Sequence, residues 1–182
     1  GFNAISDRAL AASNDAGLPK SYWDWNGMLE TNPGGFFPYT PATNLLYGLR
    51  EALLMLEEEG LDAVFARHDR FATATRKAAA EWGYELLALD EREYSSSLTA
   101  IVTPDGHDAD HLRKVILDRF DMWLGTGLGK VKGWSFRIGH LGDLNDLTLM
   151  GTLAGVEMGL DLAGIPRSGS GVAAAMEYLS AG

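Results

Sequence analysis

Arg137 stands in the run Phe136-Arg137-Ile138-Gly139-His140-Leu141, a single guanidinium among apolar residues and glycine. Read as a strand, the run alternates. Phe136, Ile138 and His140 fall on one face and Arg137, Gly139 and Leu141 on the other, so the arginine shares its face with a glycine that leaves room above it. An arginine on a half-buried strand needs a planar anion to satisfy its fork of donors. A bound carboxylate does this as well as an internal Asp or Glu, and with 25 acidic residues in the chain both readings stay open.

Other residues suggest chemistry less strongly. Gly125-Thr126-Gly127-Leu128-Gly129-Lys130 is spaced like a phosphate loop. A nucleotide loop follows a strand and opens a helix, whereas this run leads to another strand, so a hairpin or wide turn near the mouth of a site is the better reading. The histidines at 68, 107, 111 and 140 offer no pair at helical metal-ligand spacing beside a set of carboxylates, and no metal is expected. His140, next to the arginine strand, either shapes a ligand pocket or is a satisfied structural histidine. Glu57-Glu58-Glu59 opposes a helix dipole and reads as a solvated acidic face.

The elements that must carry these residues follow from periodicity and punctuation. Ser6 caps a short helix over 4–16, stopped by Gly17-Leu18-Pro19. The segments 21–25 and 32–41 are too rich in Pro, Gly and large rings for regular structure, and too apolar for a solvated loop. Apolar residues at 45, 46, 49, 52, 53 and 56 give a helix from Thr43 to Gly60, and a second helix follows from an Asp62 cap to Gly83. Strands are expected at 84–89, 97–102, 122–126 and 134–141, with a turn at 90–93. Helices are expected from the Asp108 cap through Phe120, at 144–163, and at 172–179.

Over residues 62–163 this order predicts a small α+β layer with helices on one face of a mostly antiparallel sheet. Residues 1–60 bring helices and an aromatic loop but no strand. Their apolar surfaces should pack on a sheet of a larger domain upstream.

The chain has 182 residues, is 46% hydrophobic, has no cysteine and carries a net charge of -10. It is large enough for a real core. The absence of cysteine excludes disulfides, thiolate metal sites and a cysteine nucleophile, and fits the reducing cytosol. No basic cluster marks a nucleic-acid or anionic-membrane partner, and no apolar run approaches the roughly 20 residues of a membrane span. The chain starts at Gly1 without an initiator Met, which suggests that the gene begins earlier.

Gly35-Phe36-Phe37-Pro38-Tyr39-Thr40-Pro41-Ala42-Thr43-Asn44, then Gly48-Leu49-Arg50-Glu51-Ala52, then Phe136 to Gly142 and Leu147-Thr148-Leu149, together resemble the class V pyridoxal-phosphate aminotransferases, in particular their serine–glyoxylate group. The similarity runs over almost the whole chain. It implies an α/β protein, the C-terminal part of a fold type I transferase. Residues 1–60 would end the large cofactor-binding domain and carry a dimer-contact loop, and residues 61–182 would form the small C-terminal domain.

The resemblance implies further that Arg137 grips the substrate α-carboxylate and that Thr40, with Tyr39 beside it, reaches the cofactor phosphate across a homodimer. The cofactor lysine of the family is expected just before Gly1. None of Lys20, Lys77, Lys114, Lys130 and Lys132 sits in its motif, so the chain by itself should be inactive. The implied reaction moves the amino group of serine to glyoxylate. A donor such as alanine is the alternative within the family, and a stand-alone anion-binding module is the alternative outside it.

Overall fold

A computed structural model describes residues 2–181. The chain divides into two compact units, Gly1–Met55 and Leu56–Gly182.

The first unit holds α1 (Asp7–Asp15), α2 (Trp25–Thr31) and most of α3 (Thr43–Glu59). The Ser6 hydroxyl caps α1 by accepting from the Ala9 N–H at 3.3 Å. The sequence pattern gave no helix between the two aromatic segments. One forms there because Asp24 accepts from the Asn26 N–H at 3.1 Å, satisfying a donor at the start of α2. The segments 21–25 and 32–41 contain single 3-10 turns at Ser21–Trp23 and Asn32–Gly34. No described residue before Val64 is buried, and Leu45, Tyr47 and Leu53 of α3 are all exposed.

The second unit contains α4 (Leu61–Trp82), β1 (Leu98–Val102), α5 (Ala109–Phe120), β2 (Gly125–Thr126), β3 (Ser135–Gly139), α6 (Asp146–Leu162) and α7 (Gly171–Ser180). The sheet is antiparallel, in the order β1-β3-β2. Its covered face carries Thr99, Ile101, Phe136 and Ile138, all buried. These join Phe71 and Trp82 of α4, Leu112 and Ile116 of α5, Leu153 and Leu160 of α6, and Ala175 of α7 in one core. Each fully buried large side chain contributes about 1.5–3 kcal/mol, and the alternating exposure of β1 shows that helices cover only one face.

Four expectations need correction. Residues 84–89 form no strand: Leu86 makes one isolated bridge to Ile101, and the chain then turns away as Asp90 folds back onto the Arg92 N–H at 2.9 Å. The strand expected over 122–126 is confined to Gly125–Thr126, and that over 134–141 to Ser135–Gly139. Gly60, not Asp62, caps α4, which leaves Asp62 in the first turn, where its charge still complements the helix dipole.

Candidate functional site

Arg137 sits in the middle of β3, between Ala100 of β1 and Gly125 of β2 in register. Directly paired residues of an antiparallel sheet share a face, so all three lie on the side opposite the helical core. The alternation read from sequence holds: Phe136, Ile138 and His140 are buried, Arg137 is half-buried, and Gly139 and Leu141 are exposed. Gly139 is on the arginine face, but the glycine pressed against the arginine is Gly125. A Cβ built there would lie 2.9 Å from Arg137 Cβ and 3.0 Å from its Nε.

The arginines at 67, 70, 92, 113 and 167 each hold an acidic partner. Arg137 pairs with none among the described residues, and its Nε is a buried donor without an acceptor. An unmade hydrogen bond of this kind costs about 1–3 kcal/mol, more for a charged group. Of the two readings left open by the sequence, the internal ion pair is absent among the described residues.

The chain that follows Arg137 is pinned by α4, which the sequence did not reveal. His68 donates through Nδ1 to the Val64 carbonyl at 2.7 Å and accepts at Nε2 from the Gly142 N–H at 3.1 Å. Arg67 donates to the Gly142 carbonyl at 2.7 Å while holding Glu59 with both fork arms. The spacing of 74 residues between His68 and Gly142 leaves no local signal for such a clamp. His140 is fully buried, between the Thr99 hydroxyl at 2.9 Å and the Ser96 carbonyl at 3.2 Å. Burial pushes its pKa down to about 4, so it is neutral and structural.

The glycine run at 125–129 is a wide turn with a 3-10 segment at Gly129–Val131, leading into β3 as the sequence suggested. In the first unit, Tyr39 and Thr40 are exposed on the loop Gly35–Pro41, which lines an open concavity of about 560 Å³. The Tyr39 ring lies on Tyr22 with centroids 4.7 Å apart. Neither hydroxyl is engaged by a described residue. Arg137 and the Tyr39–Thr40 pair thus belong to different units, each with its own local geometry.

No family model matches the chain. It is 47% identical over 98% of its length to a serine–glyoxylate aminotransferase of Methylorubrum extorquens, covering 46% of that protein. It is 41% identical over 96% of its length to an L-aspartate–glyoxylate aminotransferase of Paracoccus denitrificans, covering 44% of it. The crystal structure of a pyridoxamine–pyruvate aminotransferase from Mesorhizobium loti superposes with a TM-score of 0.83 at 30% identity, over 97% of this chain and 46% of that one. The chain belongs with the class V pyridoxal-phosphate-dependent aminotransferases.

This class V chain spans just under half the length of the curated relatives it matches, and it corresponds to the C-terminal part of their fold. The cofactor implied by the family is partly matched by the residues present. The free hydroxyls of Thr40 and Tyr39, close before the N-terminus of α3, are the donor type a phosphate takes. The lysines offer no comparable fit. Lys20 donates to Ser13, Lys77 lies over the Tyr178 ring, Lys114 pairs with Asp118, and Lys130 and Lys132 lie in the turn before β3.

Proposed function

We propose that the protein to which this chain belongs transfers the amino group of serine to glyoxylate, giving hydroxypyruvate and glycine. The observation that carries this reading is the Arg137 side chain, half-buried on the sheet face opposite the helices and paired with no acidic group among the described residues. Serine, glyoxylate and both products carry a carboxylate next to the reacting carbon, so one guanidinium can serve both half-reactions. Bidentate pairing fixes the orientation of that carbon, and such positioning can be worth several kcal/mol.

Pyridoxal phosphate supplies the electron sink for the reaction, while the protein supplies binding and orientation. Thr40, with Tyr39 beside it, would hold the phosphate through hydroxyl and backbone donors. In this reading residues 1–60 complete the large cofactor-binding domain and residues 61–182 form the small one. The aromatic loop 33–41 serves as a dimer contact that presents Thr40 to the partner's cofactor. Its exposed Phe36, Phe37 and Tyr39 are poor solvent-facing surface and suit such a contact. Zero cysteines fit a cytosolic enzyme.

A second reading keeps the chemistry and changes the donor, since the Paracoccus relative is named for aspartate. The test is to compare kcat/KM of the full-length protein for serine, alanine and aspartate with glyoxylate as acceptor. Serine is expected to lead. A clear preference for aspartate or alanine would replace the substrate while leaving the role of Arg137 intact.

A further inference from the structure

We infer that Gly125 is a positioning residue for Arg137, and that β2 is glycine at this point so that the guanidinium can lie across it toward a carboxylate. The inference rests on the reading of Arg137 as the carboxylate grip. Gly125 and Arg137 are direct partners in the β2–β3 pair. A Cβ at residue 125 would sit 2.9 Å from Arg137 Cβ, 3.0 Å from Nε and 3.4 Å from Cζ. The first two distances are well inside the 3.5–4.0 Å optimum for carbon contacts.

The contacts with Nε and Cζ are relieved by moving β2 or by moving the guanidinium, and the surroundings decide between them. β2 is held on both sides of Gly125 by α5. Arg113 donates through Nε to the Leu124 carbonyl at 2.9 Å, and the Thr126 hydroxyl donates to Asp110 at 3.1 Å. Arg113 and Asp110 are themselves paired at 2.8 Å, so these two anchors form one unit. On the far side, the Gly127 N–H donates to the Ser135 carbonyl at 3.0 Å, and a Cβ at 127 would meet the Val131 carbonyl oxygen at 2.1 Å. Nothing comparable holds the Arg137 guanidinium, whose Nε has no partner among the described residues. A side chain at 125 therefore pushes the guanidinium aside, which relieves the contacts with Nε and Cζ, while the contact with Cβ, set by the β3 backbone, is relieved by a slight separation of β2 from β3. The glycine spacing that imitates a phosphate loop is explained by this close approach and by the turn after it.

The test is a double-mutant cycle in the full-length holoenzyme with Gly125→Ala, Arg137→Gly and both together. Acetate serves as the carboxylate probe, read as its inhibition constant against serine, and urea midpoints are recorded in parallel. Gly125→Ala should raise KM for serine and glyoxylate and the acetate constant together, by roughly tenfold or more, with a smaller change in kcat. In the Arg137→Gly background the same substitution should add almost nothing to either the acetate constant or the urea midpoint. Acetate binding by Gly125→Ala equal to wild type, with Arg137→Gly impaired, would overturn the inference and leave the role of Arg137 standing. An equal loss in both backgrounds would also overturn it. An acetate constant unchanged by Arg137→Gly would instead refute the carboxylate grip itself. Should Gly125→Ala fail to fold, recovery of folding in the double variant supports the inference, and continued failure contradicts it.

Discussion

The indole N–H of Trp82 donates to Glu157 Oε2 at 2.8 Å, joining α4 to α6 inside the second unit. The same carboxylate accepts from the Ser170 hydroxyl at 2.8 Å and from the Val172 N–H at 3.0 Å, in the first turn of α7. Burial pushes its pKa up, but these donors and Arg167 at 3.6 Å outweigh it and hold the carboxyl below its usual value of 4.5. Three helices thus meet on one buried charge that has no part in the proposed chemistry.

Glu157→Leu should therefore destabilise the fold by several kcal/mol, because it strands three donors at about 1–3 kcal/mol for each buried group left unsatisfied. Urea unfolding of the purified chain checks this. Since the folded carboxyl binds its proton more weakly than the unfolded one, its contribution is present at neutral pH and is lost as pH falls below about 4.5. A variant as stable as wild type at pH 7 would show that the network is incidental.

His140 gives a separate pH dependence. Its folded pKa of about 4 lies below the ordinary 6.5, so between these values the unfolded chain binds a proton that the folded one refuses. Stability is full above pH 6.5 and falls as pH drops toward 4, by up to about 3 kcal/mol at 1.36 kcal/mol per pH unit. His140→Gln should flatten the urea midpoint against pH across this window. An unchanged slope in the variant would assign the effect to other groups.

Much of this architecture was legible from sequence because its signals are local. Ser6, Asp108 and the glycine stop at Gly83 mark helix ends through their own backbone geometry, and the alternation around Arg137 fixes which face each side chain takes. The strand expected at 84–89 failed because its apolar residues find a sheet partner only at Leu86, a tertiary fact. Gly125 was visible as a glycine but not as the neighbour of Arg137, since strand register decides that. The clamp of Gly142 by His68 and the three-helix junction at Glu157 depend on contacts more than 70 residues apart or between separate helices, where no spacing rule reaches.

The cofactor role of the aromatic loop can be tested in the full-length protein. Thr40→Ala should weaken pyridoxal phosphate retention, seen as a higher cofactor concentration for half-maximal absorbance of the bound form. One lost hydrogen bond to a charged group is worth about 1.5–3 kcal/mol. In heterodimers with a lysine-deficient mutant, the defect should appear at the intact site only when the loop facing it carries Thr40→Ala. A fully active monomer at assay concentration, shown by ultracentrifugation, would refute presentation across the dimer.

Arg137 is central to the proposed function as the carboxylate receptor, and steady-state kinetics of Arg137→Ala in the full-length enzyme test this most directly. Losing a charge-assisted pair of about 1.5–3 kcal/mol should lower kcat/KM for serine and for glyoxylate alike by roughly ten- to a hundredfold, with the absorbance of the bound cofactor unchanged. Wild-type kinetics, or a loss of cofactor binding in step with activity, would contradict it.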